Sequence, residues 1–117
     1  VVEDDPAIAK GLCDVLVFNG YDADGVADGI KGCESALSGR YDLVLLDVSM
    51  PGIGGVKCLR QIMSLSSKAK VIIISGYLLS GQIEEAMTLG AKAFLTKPFS
   101  FEELRTTVRN VLEQNLN

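Results

Sequence analysis

YDLVLLDVSMPG, residues 41–52, is the stretch from which the fold is read. Leu43 to Leu46 is an unbroken aliphatic run, the pattern of a strand buried on both faces of a parallel sheet. Met50-Pro51-Gly52 then supplies a turn. Asp47 stands where the apolar run stops. In open α/β sheets the crevice outside the carboxyl ends of the strands is where ligands bind and chemistry occurs. A lone aspartate in that place can simply cap the following turn. Two other strand ends are marked as well: Glu3 and Asp4 follow Val1-Val2, and Lys97 follows a strand ending near Thr96. Three chemically different strand ends aimed at one crevice make a candidate site.

Val1-Val2 reads as the tail of a first buried strand. The 117 residues are therefore expected to form a single domain, 1–117, truncated within its first strand. Asp5 suits an N-cap and Pro6 the first helical position. Ile8, Leu12, Val15 and Leu16 recur at helical spacing, and Asn19-Gly20 closes that helix. Tyr21 to Val26 is expected to be an edge strand with a poorly filled face, because Asp22 and Asp24 alternate with Tyr21, Ala23 and Gly25. Asp28-Gly29 starts a second helix carrying Ile30, Cys33 and Leu37; Gly32 lowers its propensity and Gly39 ends it.

Past the central strand, Val56, Leu59, Ile62 and Met63 make a third helical face, and Lys70 to Ile74 a fourth strand ending in Ser75-Gly76-Tyr77. Ser80 caps a fourth helix bearing Ile83, Met87 and Leu89, which Gly90 terminates. Ala93 to Thr96 is a short fifth strand. Ser100 to Glu103 forms a capping box, with Phe99 and Leu104 as a hydrophobic staple. Leu104, Val108, Val111 and Leu112 line the last helix. Strands alternating with helices at this spacing predict a doubly wound α/β sandwich of five strands and five helices.

Composition narrows the function. A chain of 117 residues with 48% hydrophobic residues can bury one core without staples. The net charge of −4 argues against direct nucleic-acid binding, which needs basic stripes. No aliphatic run is longer than Val71 to Ile74, which is far too short for membrane insertion, and no signal peptide is seen. Cys13, Cys33 and Cys58 are odd in number and widely spaced, which suits reduced, mostly buried thiols and a cytoplasmic location. The chain has no histidine, so it cannot use internal histidine catalysis or carry a phosphohistidine of its own.

Clustered carboxylates at strand ends form a hard-oxygen site that suits Mg²⁺, with Mn²⁺ able to substitute. One acid after the first strand would satisfy a helix dipole; three crowded ones point to a cation. An anionic phosphoryl group could not approach such a cluster unaided, since two unit charges ~4 Å apart repel by ~4 kcal/mol at an effective dielectric of about 20. A metal reverses that sign, Lys97 adds a second cation and Ser75 a hydroxyl donor. Asp47 then becomes a carboxylate poised to form an acyl phosphate.

These residues, in this order and nearly end to end from Val1 to Leu112, resemble the receiver domain of bacterial two-component response regulators. The resemblance implies a flavodoxin-like parallel sheet in the order 2-1-3-4-5. It implies that Glu3 and Asp4 bind Mg²⁺, that Asp47 in LLDxxMPG is the phosphoacceptor, and that the Ser49 backbone carbonyl is a further metal ligand. Ser75 matches the switch hydroxyl, Phe94 the aromatic switch position, and Lys97 the lysine of Lys-Pro-Phe, whose bond to Pro98 is expected to be cis. The implied partners are a sensor histidine kinase or histidine phosphotransfer protein, and a downstream effector or output domain that reads the surface of the fourth helix, fifth strand and fifth helix. Dimerisation linked to phosphorylation belongs to the same picture. Ser49 and Tyr77 occupy positions that tune phosphate lifetime, and Tyr77 is expected to screen the attacking water. As an isolated domain the chain is expected not to be an enzyme, beyond limited self-phosphorylation and self-dephosphorylation.

Other functions make different demands. A pseudo-receiver would dock partners without being phosphorylated, yet here the set of acids, Asp47, Ser75 and Lys97 is complete. A phospho-aspartate phosphatase commonly carries a second aspartate two residues after the nucleophile, where Ser49 stands. A nucleotide binder would want a Gly-rich phosphate loop where Glu3-Asp4-Asp5 is found. Ser75-Gly76-Tyr77 with a following Gly-Gln also resembles receivers attached to hybrid sensor histidine kinases.

Overall fold

The structure, a computed structural model, describes residues 1–48, 55–65, 68–76 and 80–113, the side chains at 80 and 82 excepted. Helices and strands alternate as α1 (Pro6–Phe18), α2 (Gly29–Leu37), β1 (Val44–Asp47), α3 (Gly55–Leu65), β2 (Val71–Ser75), α4 (Ser80–Leu89), β3 (Ala93–Thr96) and α5 (Phe101–Glu113). The three strands are those expected third, fourth and fifth from the sequence. They form one parallel sheet in the order β1-β2-β3, with Asp47 level with Ile74, and Ser75 with Thr96.

Alternation along the strands divides the core into two layers. Leu46, Val71 and Ile73 face Cys33, Cys58, Leu59, Ile62 and Ala86 of α2, α3 and α4. Leu45, Ile72, Ile74 and Leu95 face Leu12, Leu16, Leu104, Val108 and Val111 of α1 and α5. Val71 to Ile74 are completely buried, which explains why this run carries no polar residue. Burying each isoleucine contributes roughly 2 kcal/mol. Helices therefore cover both faces of a parallel sheet, as the sequence predicts.

The expected first and second strands are reduced, among the described residues, to single bridges. Val2 pairs in parallel with both Val26 and Leu46. Its N–H donates to the Leu45 carbonyl at 2.8 Å, and the Asp47 N–H donates to its carbonyl at 3.0 Å. Of the expected strand at Tyr21 to Val26, only Val26 pairs. The polar residues before it find other partners: the Asp24 carboxylate accepts from the Tyr41 hydroxyl at 2.7 Å. Strand-poor Asp22, Asp24 and Gly25 explain the difference.

Helix ends follow the sequence closely. Asp5 accepts from the N–H groups of Ala7 and Ile8, and Asp28 from those of Ile30 and Lys31. The Ser100 hydroxyl accepts from the Glu103 N–H at 3.0 Å while Glu103 reaches back to the Ser100 N–H, completing the capping box. Gly20 and Gly90 take φ of 92° and 117°, the left-handed turn that ends α1 and α4. The Lys97-Pro98 bond is cis, as expected. The cap expected at Ser80, the turn at Met50-Pro51-Gly52, and the sites Ser49 and Tyr77 lie outside the described residues or side chains.

Gly32 is more than a weak point in α2. A β-carbon there would lie 2.6 Å from one Val2 γ-methyl and 2.8 Å from the other. Val2 is branched, buried and pinned by its two bridges, so it cannot swing aside. Helix propensity favours Gly32→Ala by up to about 1 kcal/mol, but overpacking costs about 1–3 kcal/mol. We expect a net loss of about 1 kcal/mol in urea unfolding; a more stable Gly32→Ala chain would show that α2 can move off Val2.

Candidate functional site

The carboxyl ends of the strands converge as the sequence implies. Val2 lies beside Leu46, so Glu3 emerges next to Asp47. Lys97 comes from the turn after β3, where its N–H donates to the Ser75 carbonyl at 2.8 Å. Among the described residues, Glu3, Asp47 and Ser75 are the buried polar side chains, each no more than 2% exposed. Carboxylate oxygens of Glu3, Asp4 and Asp47 all lie within 4.8 Å of one another. The Lys97 ammonium bridges two of these acids: it donates to Asp47 Oδ2 at 3.0 Å and to Glu3 Oε1.

Charge within the cluster is out of balance. Two carboxylates at that separation repel by about 3 kcal/mol at an effective dielectric of about 20, and among the described residues one lysine answers three acids. Burial, then the hydrogen bond to Asp47, pushes the Glu3 carboxyl up to about 7, although Lys97 acts in the opposite direction. Burial works against the Lys97 ammonium, but the hydrogen bonds to Glu3 and Asp47 outweigh it and hold its pKa above the ordinary lysine value. Glu3 Oε2 is buried without a hydrogen-bond partner. An unanswered carboxylate oxygen beside two other carboxylates fits a hard divalent cation, so these residues suit Mg²⁺.

The third acid of the opening run has a different task. Asp5 is exposed and caps α1, so the three acids divide into a cluster pair and a cap. Phe94, on β3, is 45% exposed. It lines a cavity of about 340 Å³ with Met87, Lys92, Thr107 and Asn110 on the α4–β3–α5 face. That side chain is outside the acidic cluster, pointing to the surface rather than toward Asp47.

Removing Lys97 leaves two buried carboxylates without their cation. Breaking a buried pair costs about 3–5 kcal/mol, and Lys97 is partly solvated, so we expect Lys97→Met to lose about 2 kcal/mol at pH 8. Protonation of Glu3 should restore much of this at pH 5. Equal losses at both pH values in urea unfolding would contradict the pairing.

A family model for the response regulator receiver domain matches residues 1–109. This chain belongs to that family. Among curated relatives, it is 36% identical over 115 residues to the uncharacterized transcriptional regulatory protein YkoG of Bacillus subtilis, covering 98% of this chain and 50% of that protein. It is 34% identical over 116 residues to the chemotaxis protein CheY of Treponema pallidum, covering 97% and 81%. The receiver domain thus spans about half the length of YkoG and most of that CheY. A CheY-like receiver domain from Methanospirillum hungatei superposes with a TM-score of 0.91 at 26% identity, over 97% of this chain and 90% of that one. The receiver domain of the sensor histidine kinase PA1611 from Pseudomonas aeruginosa superposes at 0.86 with 30% identity, over 97% and 94%. That structure holds a magnesium ion coordinated in its active site cleft. Among the described residues of this receiver domain, no helix is long and apolar enough to cross a membrane.

Proposed function

We propose that this receiver domain accepts a phosphoryl group on Asp47 from a phosphohistidine of a sensor histidine kinase or histidine phosphotransfer protein. The observation that carries this reading is the buried Asp47 carboxylate, held by Lys97 at 3.0 Å and clustered with Glu3 and Asp4 at a strand end. An Asp47 oxygen attacks phosphorus; the new O–P bond forms as the P–N bond to the donor imidazole breaks, and the imidazole nitrogen leaves with a proton. Lys97 answers the phosphoryl charge, and the Ser75 hydroxyl would donate to a phosphoryl oxygen. Glu3, Asp4 and Asp47, with the Ser49 backbone carbonyl of the family pattern, would hold Mg²⁺ or Mn²⁺, which when bound supplies the positive charge that lets an anion enter the cluster.

In this reading the domain is a switch rather than an enzyme acting on a separate substrate. Phosphorylation draws Ser75 inward and Phe94 follows, changing the α4–β3–α5 face read by an effector or output domain. A cytoplasmic location and phosphorylation-linked dimerisation accompany that reading, as does membership of a hybrid sensor histidine kinase as the alternative parent. Tyr77 would screen attacking water. The bridges of Val2 to Val26 and Leu46 support a five-strand order of 2-1-3-4-5.

The test is intact-mass spectrometry after incubation with acetyl phosphate and Mg²⁺. One added phosphoryl group is expected, lost on mild alkali as an acyl phosphate would be. An unchanged mass would make the chain a docking module of the same fold.

A further inference from the structure

Helix α1 carries an exposed apolar knob near one end and an apolar hollow near the other. The knob is Phe18, in the last turn, which is 90% exposed. The hollow is a cavity of about 430 Å³ between α1 and the turn into α5, lined by Ile8, Gly11, Pro98, Phe99 and Phe101. A cavity of roughly 150 Å³ already holds a benzene ring. Its rim faces solvent, with Ile8 36% and Phe101 67% exposed. Gly11 weakens the helix interior relative to alanine, yet it does not take a positive φ. A β-carbon there would meet no described atom within 4 Å. Unlike Gly32, it answers no contact within the described chain; its small size only keeps the hollow open.

We propose that two copies of the chain pair through antiparallel α1 helices, each Phe18 ring entering the hollow of the other. Helical spacing sets Ile8, Gly11, Val15 and Phe18 along one side of α1, so knob and hollow share a face, roughly 12 Å apart along the axis. A two-fold axis crossing α1 near Leu12 and Cys13 turns this face on itself, seats both rings and closes the assembly at two. Charge favours the same register. Lys10 and Asp14 are both exposed and pair within the helix at 2.7 Å. The axis brings each lysine beside the aspartate of the second copy, whereas a parallel pairing would oppose lysine to lysine and leave both hollows empty. Phe94 is not part of this surface, and the pairing needs no phosphoryl group. Two rings and their surroundings bury about 800 Å² in total, against about 1,600 Å² for a standard interface, so the dimer is weak, with Kd on the order of 100 µM.

The test is sedimentation velocity of the unaltered chain without phosphodonor or Mg²⁺. Monomer is expected at about 5 µM and mostly dimer at about 1 mM, as that affinity requires. Phe18→Ala changes an exposed side chain, so the fold should persist while association weakens at least about tenfold. Gly11→Leu should weaken it as much by filling the hollow, yet raise the thermal midpoint because leucine suits a helix better. Lys10→Glu should weaken association about threefold, and adding Asp14→Lys should restore it. A chain that stays monomeric at 1 mM, a dimer that survives Phe18→Ala or Gly11→Leu, or a double variant no better than Lys10→Glu alone would each overturn the proposal. So would a monomeric chain whose amide signals around Gly11 shift on adding a histidine phosphotransfer domain, which would give the hollow to that partner.

Discussion

Asp47→Asn is expected to take no phosphoryl group from acetyl phosphate while keeping its fold. The change is isosteric, so the side chain can stay beside Lys97, but an amide nitrogen has no lone pair free to attack phosphorus. Loss should be complete within detection, because no other carboxylate of the cluster shares the Asp47 position. Glu3 is held by the same ammonium and is short of charge compensation, and Asp4 is exposed. The substitution should also relieve the site. With one charge fewer beside it, the Glu3 carboxyl should fall back toward its ordinary range, since the contact with Asp47 is one of the causes that raise it. Retained phosphorylation in this variant, on any residue, would show that the acceptor has been misplaced.

The metal-free chain should lose stability as pH rises from 4.5 to 7. Burial and the neighbouring acids lift Glu3 from an ordinary 4.5 to about 7 in the folded state. Within that window the unfolded chain has already released the proton that the folded chain retains. Stability is therefore greatest below 4.5 with respect to this group, declines through the window and levels off above 7, a change on the order of 3 kcal/mol. The sign is the reverse of that for a salt-bridged carboxylate of depressed pKa. Glu3→Gln should flatten the profile and be the more stable protein at pH 8. Urea unfolding at pH 5 and pH 8 in the presence of a chelator measures both. A wild-type chain more stable at pH 8, or a Glu3→Gln chain with the same slope, would contradict this ionisation.

These two expectations describe one property. The site is assembled at a cost in the folded chain, and the cost resides in carboxylates that outnumber their cations. Mg²⁺ should accordingly stabilise the wild-type chain more at pH 8 than at pH 5, where Glu3 carries its proton.

The architecture was readable because its strands are uninterrupted. Leu43–Leu46 and Val71–Ile74 fit between two layers of helices, and Asp47 and Ser75 follow as their polar ends, with Lys97 after Ala93–Thr96. Local signals were reliable where one residue acts on its own neighbours, as at Asp5, Asp28, Ser100 and Gly90. Helical faces were read less well. Ile8, Ile30 and Met87 share a period with core residues yet are at least 36% exposed, while Ala86 is the buried residue among the described side chains of α4. Gly32 reads as a defect in α2 until Val2 is seen against it, a contact between residues 30 positions apart that no local pattern encodes. Spacing set Asp5 apart as a cap but did not separate buried Glu3 from exposed Asp4; that division depends on which side of the first bridge each one leaves.

The most direct test of the acceptor assignment is to trap the modified residue chemically. After incubation with acetyl phosphate and Mg²⁺, borohydride reduces an aspartyl phosphate to homoserine, which peptide sequencing by mass locates. Conversion at position 47 alone, abolished when a chelator replaces Mg²⁺, is the predicted result. Conversion at Glu3 or Asp4, or at position 47 in full with the metal removed, would contradict it.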